Sequence, residues 1–421
     1  GYPLSLVTRQ GRVFLPLFLA SATRRRPMRP PDGGAGGEPP ETDMSMRLSR
    51  SIVGEAEAEA VHRVICEDGY LGIGKEVQQF EADVAGYLGV PASWVISVNT
   101  GTAALHLAVG AVLGHGGGAE VRGPSLRFVG ALRATGGAGA VPGACDARLD
   151  TATIDLADAE RRLTPRTKAI MPVHYASNPV DLDGVYAFAE KHGLRVIEDA
   201  AHAFGCLYKG RKIGSFGDVA CFSFDGIKNI TCGEGGCIVT SDQAVAEAAR
   251  DGRLLSVEKD TEKRFSGQRS WEFDVERQGW RYHMSNVMAA IGRVQLTRLD
   301  GEFAPKRREL AELYRERLSG VPGVALLTAE PEAWIVPHIF PVRILNGRQH
   351  DVIGALDAKG IPTGQHYKPN HLLSLYGGGK PSLPATEQLH GELLALPWHP
   401  RPILAGREAV DGGACRRVYE R

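Results

Sequence analysis

The chain has 421 residues, of which 43% are hydrophobic and 23% charged: a globular protein long enough for two packed lobes, and not a disordered one. Lys+Arg and Asp+Glu number 49 each, which excludes a general basic surface for nucleic acid or anionic lipid; any bound anion needs a local site. The seven cysteines (66, 145, 206, 221, 232, 237 and 415) form no C-x-x-C pair and no zinc spacing. They read as reduced cytosolic thiols serving as small hydrophobes, which implies a cytoplasmic protein and no metal site.

Residues 1–45 read as an extension outside the working fold. RVFLPLFLASATRRR loosely mimics a secretory signal, but Pro16 interrupts its apolar run and a basic cluster follows. The Pro/Gly-rich PMRPPDGGAGGEPPETD then reads as a linker unable to bury a core, and Met28, Met44 and Met46 are candidate starts. No stretch approaches the roughly 20 apolar residues of a membrane span.

From Leu48 the pattern is regular. VGEAEAEAVHRVICEDG and KEVQQFEADVAGYLGV predict amphipathic helices, WVISVN (94–99) a strand, and TGTAALHLAVGAVLG a helix opening directly after it. VRGPSLRFVGALRATGGAGAVPGAC predicts a further helix and strand. TKAIMPVHY (167–175) is a buried strand, DLDGVYAFAEKHG (181–193) a helix, and LRVIEDAAHAFG a strand running into a loop. DVACFSF (218–224) and GGCIVTSD (235–242) are two more runs of strand length. This alternation at βαβ spacing predicts a mostly parallel sheet covered by helices. NVMAAIGRVQLTRLDGEFAPKRRELAELYRERLSG then predicts a long helical passage into a smaller α+β lobe containing HIFPVRIL and a DVIGALDAKG helix.

Ligands of open α/β sheets gather beyond the carboxyl ends of the strands, and four features fall there. In SVNTGTAALHLA, backbone N–H groups at a helix start make an anion seat to which Thr100 and Thr102 can add hydroxyls; the plainer reading is threonine N-capping. In VIEDAAHA, Glu198 and Asp199 follow an apolar strand, either to stabilise a buried cation or as caps. Phe128 in PSLRFVGA is a ring for stacking on a planar ligand, or a core residue. Lys228 lies beyond a strand, five residues after Ser223 and before glycines 233, 235 and 236. It either snorkels to water or is a desolvated, nucleophilic amine. A phosphate seat, a stacking ring, an acid and an amine are the parts that pyridoxal 5'-phosphate requires.

The motifs NTGTAALHLA, PSLRFVGA, VIEDAAHAFG, FSFDGIKNITCGEGG, YHMSNVMAAIG and GQHYKPNH occur in family order, and residues 48–402 resemble the DegT/DnrJ/EryC1/StrS sugar aminotransferases. The resemblance implies a fold-type I aminotransferase: a mostly parallel seven-stranded sheet in a large domain (46–300) and a smaller α+β C-terminal domain (301–421). It implies that Lys228 holds the cofactor as an imine, that Asp199 pairs with its ring nitrogen, and that His202 lies near the ring oxygen. It further implies that Phe128 stacks on the ring, with Gly101, Thr102, Ala103 and Ser223 as phosphate binders. Asn178, His366, Tyr367 and His371 fall on the substrate side, or in ordinary loop packing.

The family's dehydratase branch has histidine in place of the lysine, so Lys228 argues for transamination. A departure from the family's G-Y-N-Y-R-M occurs at Gly279-Trp280-Arg281-Tyr282-His283-Met284, where Arg281 takes the place of an asparagine that reaches the neighbouring subunit's cofactor phosphate. Two others are Asp225, where His, Tyr or Asn is common, and Ser177-Asn178 for a Gly-Gln type pair. The implied partners are glutamate as donor and a nucleotide-linked keto-sugar, of the 4-keto-6-deoxyhexose dTDP type, as acceptor, in a homodimer with shared sites. Alternatives are amination at C3, a cyclitol ketone of the scyllo-inosose type, a non-catalytic cofactor-binding regulator, and a lyase or desulfurase using Cys232.

Overall fold

The computed structural model describes residues 47–398 apart from 115–116, 258, 269–271, 276 and 377–380; the expectations for residues 1–45 and Cys415 lie outside the described residues. Two helices lead in. α1 (Glu55–His62) widens into a π turn over Arg63–Asp68, and α2 (Lys75–Leu88) stops at Gly89, whose φ of 71° is the left-handed cap that glycine supplies. Alternation then begins: β1 (Val95–Val98), α3 (Gly101–Leu113), β2 (Glu120–Pro124), α4 (Val129–Gly137), β3 (Val141–Cys145), α5 (Leu156–Arg161), β4 (Thr167–Ile170), α6 (Leu182–His192) and β5 (Arg195–Asp199). A small hairpin, β6 (Leu207–Tyr208) with β7 (Arg211–Lys212), separates these from β8 (Val219–Ser223), β9 (Gly236–Thr240), α7 (Gln243–Gly252) and α8 (Asp260–Phe265).

The central sheet has seven strands in the order β1-β9-β8-β5-β4-β2-β3. All run one way except β9, which is antiparallel to both its neighbours, β1 and β8. The expected mostly parallel seven-stranded sheet is therefore present, with one reversed strand reached through the Lys228-containing loop after β8.

Side-chain parity sorts the strand residues between two cores. Along β8, Phe222 (and Phe224 just beyond) packs with Phe80 and Phe204 on the α2 and α9 side, where the rings meet edge to face at centroid distances of 5.1–5.5 Å. Cys221 and Ser223 point to the other face, where Cys221 joins Ala103, Ala104 and Leu107 of α3. Along β5 the same rule puts Ile197 with α3 and Val196 with the opposite core.

The predicted long helical passage comprises α9 (Asn286–Arg298), a π turn over Leu299–Phe303, and α10 (Ala304–Leu318). A second sheet follows, with β10 (Val324–Leu326), β12 (Phe340–Ile344) and β13 (Leu393–Leu396) in the order β10-β12-β13, while β11 (Ala333–Trp334) pairs with β6. α11 (Gln349–Asp357) and α12 (Pro384–Glu392) complete this region, whose separate core stacks Tyr314, Phe340 and Trp398. The strands of two or three residues have too little length for periodicity and were not legible in the sequence.

α9 crosses α2 at Gly292, where a Cβ would lie 2.5 Å from Cys232 Sγ and 2.8 Å from Phe80 Cε2. Gly292→Ala gains about 1 kcal/mol of helix propensity, but overpacking this core costs roughly 1–3 kcal/mol. The expected result is a lower urea midpoint than wild type; a higher one would show that the α2–α9 contact yields easily.

Candidate active site

Three strand ends meet on the α3 face of the sheet. At the first, β1 runs through Asn99 into Thr100, whose extended backbone and hydroxyl cap α3 by accepting from Ala103 N at 3.0 Å. Ala104 N is bonded to Thr100 O, so the cap takes up Ala103, expected among the phosphate binders, and leaves Gly101 and Thr102 with N–H groups that have no acceptor within the helix. Thr100 is thus a cap whose hydroxyl accepts from Ala103 N and keeps its own O–H to donate.

Ser223, at the end of β8, closes the seat from the side: a Cβ on Gly101 would meet Ser223 Cβ at 2.7 Å and Oγ at 3.1 Å. A Cβ on Gly236 would lie within 2.8 Å of Phe222 O, Thr100 O and Gly101 N. Only glycine lets β9 draw the helix start against β8. The two N–H groups, the Ser223 hydroxyl and the α3 dipole form a seat with the polarity that a phosphate requires.

At the second strand end, the adjacent acids Glu198 and Asp199 part company. Glu198 turns to the α6 face, where it is bonded to His174 Nε2 (2.9 Å) and Tyr186 Oη (2.9 Å). His174 Nδ1 accepts from Val180 N, so its proton sits on Nε2 and is given to Glu198. Asp199 lies on the α3 face, 5% exposed, with Oδ1 accepting from Ala201 N at 3.3 Å. Burial pushes its carboxyl up, and the charges of Arg127 and Lys228 oppose this.

At the third, beyond β8, Lys228 sits in a tight turn whose backbone N–H reaches Asp225 O at 3.1 Å. Burial pushes its amine down to about 8, against the pull of Asp225 and Asp199. At pH 7 about a tenth of such an amine is neutral, against roughly three in ten thousand at the ordinary lysine value. The structure thus decides between snorkelling and a desolvated amine in favour of the latter.

The C-terminal region supplies a side that sequence reasoning did not find. His338, just before β12, is buried, and its Nε2 lies 3.3 Å from Lys228 Nζ. Burial and the Lys228 charge hold it well below the ordinary histidine range, so it is a neutral acceptor for the amine. Its place is clamped: Pro337 O accepts from Arg307 Nη1 (3.1 Å) and from Trp398 Nε1 (3.0 Å), while His338 N donates to Ser177 Oγ at 2.8 Å. Ser177 in turn donates to His202 O. It does so from φ +69°, a left-handed conformation that serine adopts at a cost and glycine freely. The serine compensates with two hydrogen bonds joining His202 to His338. No periodicity or spacing in PHIFPVRIL marks His338; only the packing of the two regions does.

His202 is buried beside it, with ring centroids 4.5 Å apart and Nε2 3.0 Å from Tyr367 Oη. Its Nδ1 has no hydrogen-bond partner among the described residues, a vacant polar contact suited to a ligand oxygen. Burial and the Lys228 charge push His366 down to about 4, and burial, Asp199 and Asp225 raise the Tyr367 hydroxyl; both therefore border the site. Phe128 is 54% exposed, its ring 5.5 Å from Tyr367, and so is no core residue. An apolar ring left open beside an amine and an acid suits a flat ligand.

Other expected residues are spent elsewhere. The Asn178 amide donates to Thr328 O (3.0 Å) and accepts from Glu330 N (2.8 Å). His371 is buried with Nδ1 2.7 Å from Ser125 Oγ, a latch between the loop after β2 and the segment after Tyr367, which matches the loop-packing alternative. Arg281 is exposed, its carbonyl 3.5 Å from Asn99 Nδ2 beside the phosphate seat. Cys232, the thiol of the lyase alternative, is buried in the α2–α9 core and raised by burial, so it is no nucleophile here. Among the described residues no group of three or more His, Cys, Asp or Glu is placed to hold a metal, and no helix is long and apolar enough to cross a membrane.

A desolvated lysine, a buried acid, a phosphate cradle and an open ring at the strand ends of this sheet define a pyridoxal-phosphate enzyme of fold type I. Residues 51–408 match the model of the DegT/DnrJ/EryC1/StrS aminotransferase family, and the chain belongs to that family. It is similar to the aminotransferase TlmJ from Streptoalloteichus hindustanus, at 35% identity over 89% of this chain and 99% of that one, with a TM-score of 0.82. Likewise it resembles DesV from S. venezuelae (35% identity, 87% and 94% covered, TM-score 0.78). A third similar structure is the sugar aminotransferase CalS13 from Micromonospora echinospora (27% identity, 88% and 99% covered, TM-score 0.80). The protein is an aminotransferase of the sugar-biosynthesis type, and its cofactor is pyridoxal 5'-phosphate, as the sequence motifs implied.

The lowered amine carries a pH signature. Covalent capture of pyridoxal phosphate by the cofactor-free protein, followed by stopped-flow absorbance, is expected to speed up about tenfold per pH unit and to level off near pH 8. A rate still climbing above pH 10 would mean that the amine is solvated.

Proposed function

We propose that this enzyme transfers an amino group from glutamate to a nucleotide-linked 4-keto-6-deoxyhexose of the dTDP type. The observation that carries the reading is the pairing of a desolvated Lys228 with a buried Asp199 at adjacent strand ends, flanked by a phosphate cradle.

The bound cofactor supplies an electron-withdrawing ring that takes up the electron pair left when a donor loses its α-proton. The protein's part is to bind, orient and move protons. Gly101 N, Thr102 N and the Ser223 hydroxyl would hold the phosphate, Phe128 would cover the ring, and His202 would offer its free Nδ1 to a ring oxygen. Asp199 would hold a proton at the ring nitrogen. Lys228 would anchor the cofactor and, once displaced by a donor amine, would carry the α-proton, for which a neutral amine is required. His338 accepts a hydrogen bond from the released amine and holds it in the cleft.

His366 and Tyr367 form the acceptor side. Arg281 serves a second copy's phosphate in a homodimer, consistent with its exposure. We read residues 46–300 as the cofactor domain and 301–421 as the small domain, in keeping with the separate Tyr314–Phe340–Trp398 core.

The test is to prepare the pyridoxamine form and present it with nucleotide-linked 4-keto and 3-keto sugars and with cyclitol ketones. Loss of the pyridoxamine absorbance with the 4-keto sugar, and an amine at C4 by NMR of the product, is the expected outcome. Turnover of only the 3-keto sugar or the cyclitol reassigns the acceptor, and no turnover of any ketone favours a regulator. Lys228→Ala serves as the control: borohydride trapping of the cofactor on the chain is expected to vanish, and persistence would remove the lysine's assignment.

A further inference from the structure

Arg127 is a cation that this scheme does not use. It follows β2, immediately before Phe128, and is 1% exposed. None of its three guanidinium nitrogens has a hydrogen-bond partner among the described residues. A guanidinium out of water and without a partner is costly, and a fold keeps one only where a charge compensates.

The backbone makes room for it. The position that a Cβ on Gly123 would take lies 2.8 Å from Arg127 Nη1 and 2.6 Å from Met171 O, so the guanidinium lies across the ends of β2 and β4 where only glycine fits. One residue on, Pro172 O accepts from Asp199 N at 2.9 Å, and Val173 bridges Asp199 directly. Arg127 therefore lies at the strand ends beside Asp199, on the side away from Lys228.

The electrostatics are mutual. Asp199 is the group whose charge most strongly favours the Arg127 cation, ahead of Cys145 and Tyr376. In return, Arg127 is the strongest offset to the burial of Asp199, ahead of the Ala201 N–H, Lys228 and His174. The other two side chains are not standing charges. Lys228 takes part in the chemistry, so its charge changes as it binds and releases the cofactor, whereas His174 accepts at Nδ1 from Val180 N and gives its Nε2 proton to Glu198.

We propose that Arg127 is a positioning residue whose guanidinium is the standing counter-charge for Asp199, keeping that carboxylate ionised so that the proton it shares with the cofactor resides on the ring nitrogen. The proposal rests on the reading of Asp199 as the ring's partner. No bond is made or broken: a cation that favours the ionised carboxylate leaves the shared proton to the ring.

The test reads the ring nitrogen itself. Wild type, Arg127→Lys, Arg127→Met and Asp199→Asn are loaded with pyridoxal phosphate labelled with nitrogen-15 in the ring, and the resonance is measured by solid-state NMR. Wild type and Arg127→Lys are expected in the protonated range, with Arg127→Met and Asp199→Asn shifted toward neutral pyridine. If Arg127→Met does not fold, Arg127→Gln, uncharged and hydrogen-bonding, takes its place with the same expectation. A shift in Asp199→Asn with none in the uncharged Arg127 variants overturns the proposal and leaves the Asp199 reading standing. No shift in either overturns both. A Lys variant shifted as far as the Met variant also overturns it, because charge would then not be the cause.

Discussion

The site depends on one constraint: a half-buried amine and a buried carboxylate share the cleft at the ends of neighbouring strands β8 and β5. Burial pushes Lys228 toward its neutral form and Asp199 toward its protonated one, while the charges of the two groups pull each other back. A nucleophile usable near neutral pH and an acid that stays ionised demand opposite corrections to the same desolvation. The fold answers with asymmetry. Lys228 faces a neutral imidazole, His338, whereas Asp199 is favoured by the charge of the buried Arg127 guanidinium.

Chain direction and side-chain parity deliver these groups to one place. Reversed strand β9 carries Gly236, whose missing side chain lets the start of α3 settle against β8, and so sets the phosphate cradle beside the strand that leads to Lys228. Parity along β5 sends Glu198 to a closed network with His174 and Tyr186 and leaves its neighbour Asp199 to the cleft. Of two consecutive acids, one stiffens the sheet and one is available for chemistry.

The C-terminal region completes the site through a few polar clamps. Arg307 and Trp398 hold Pro337, Ser177 holds His338 and His202 together, and the Ser125–His371 latch fixes the loop that carries Arg127 and Phe128. Each clamp joins segments more than 20 residues apart, and most use backbone atoms. Residue identity therefore carries little trace of them.

The sequence by itself determined the alternation of strands and helices, the family motifs and the shortlist of Lys228, Asp199, Ser223, Phe128 and the α3 start. Periodicity is local, and chemistry-bearing side chains at strand ends show up as breaks in it. Sequence also offered Asn178 and His371, which the fold spends on Thr328, Glu330 and Ser125, and it left open whether Thr100 caps α3. Only the tertiary structure decided these, because a hydrogen bond is claimed by whichever partner the packing brings within about 3 Å. Tertiary structure alone also supplied His338 and the burial of Arg127. Burial, and with it the protonation state of every group in the cleft, belongs to the assembled walls and not to any one segment.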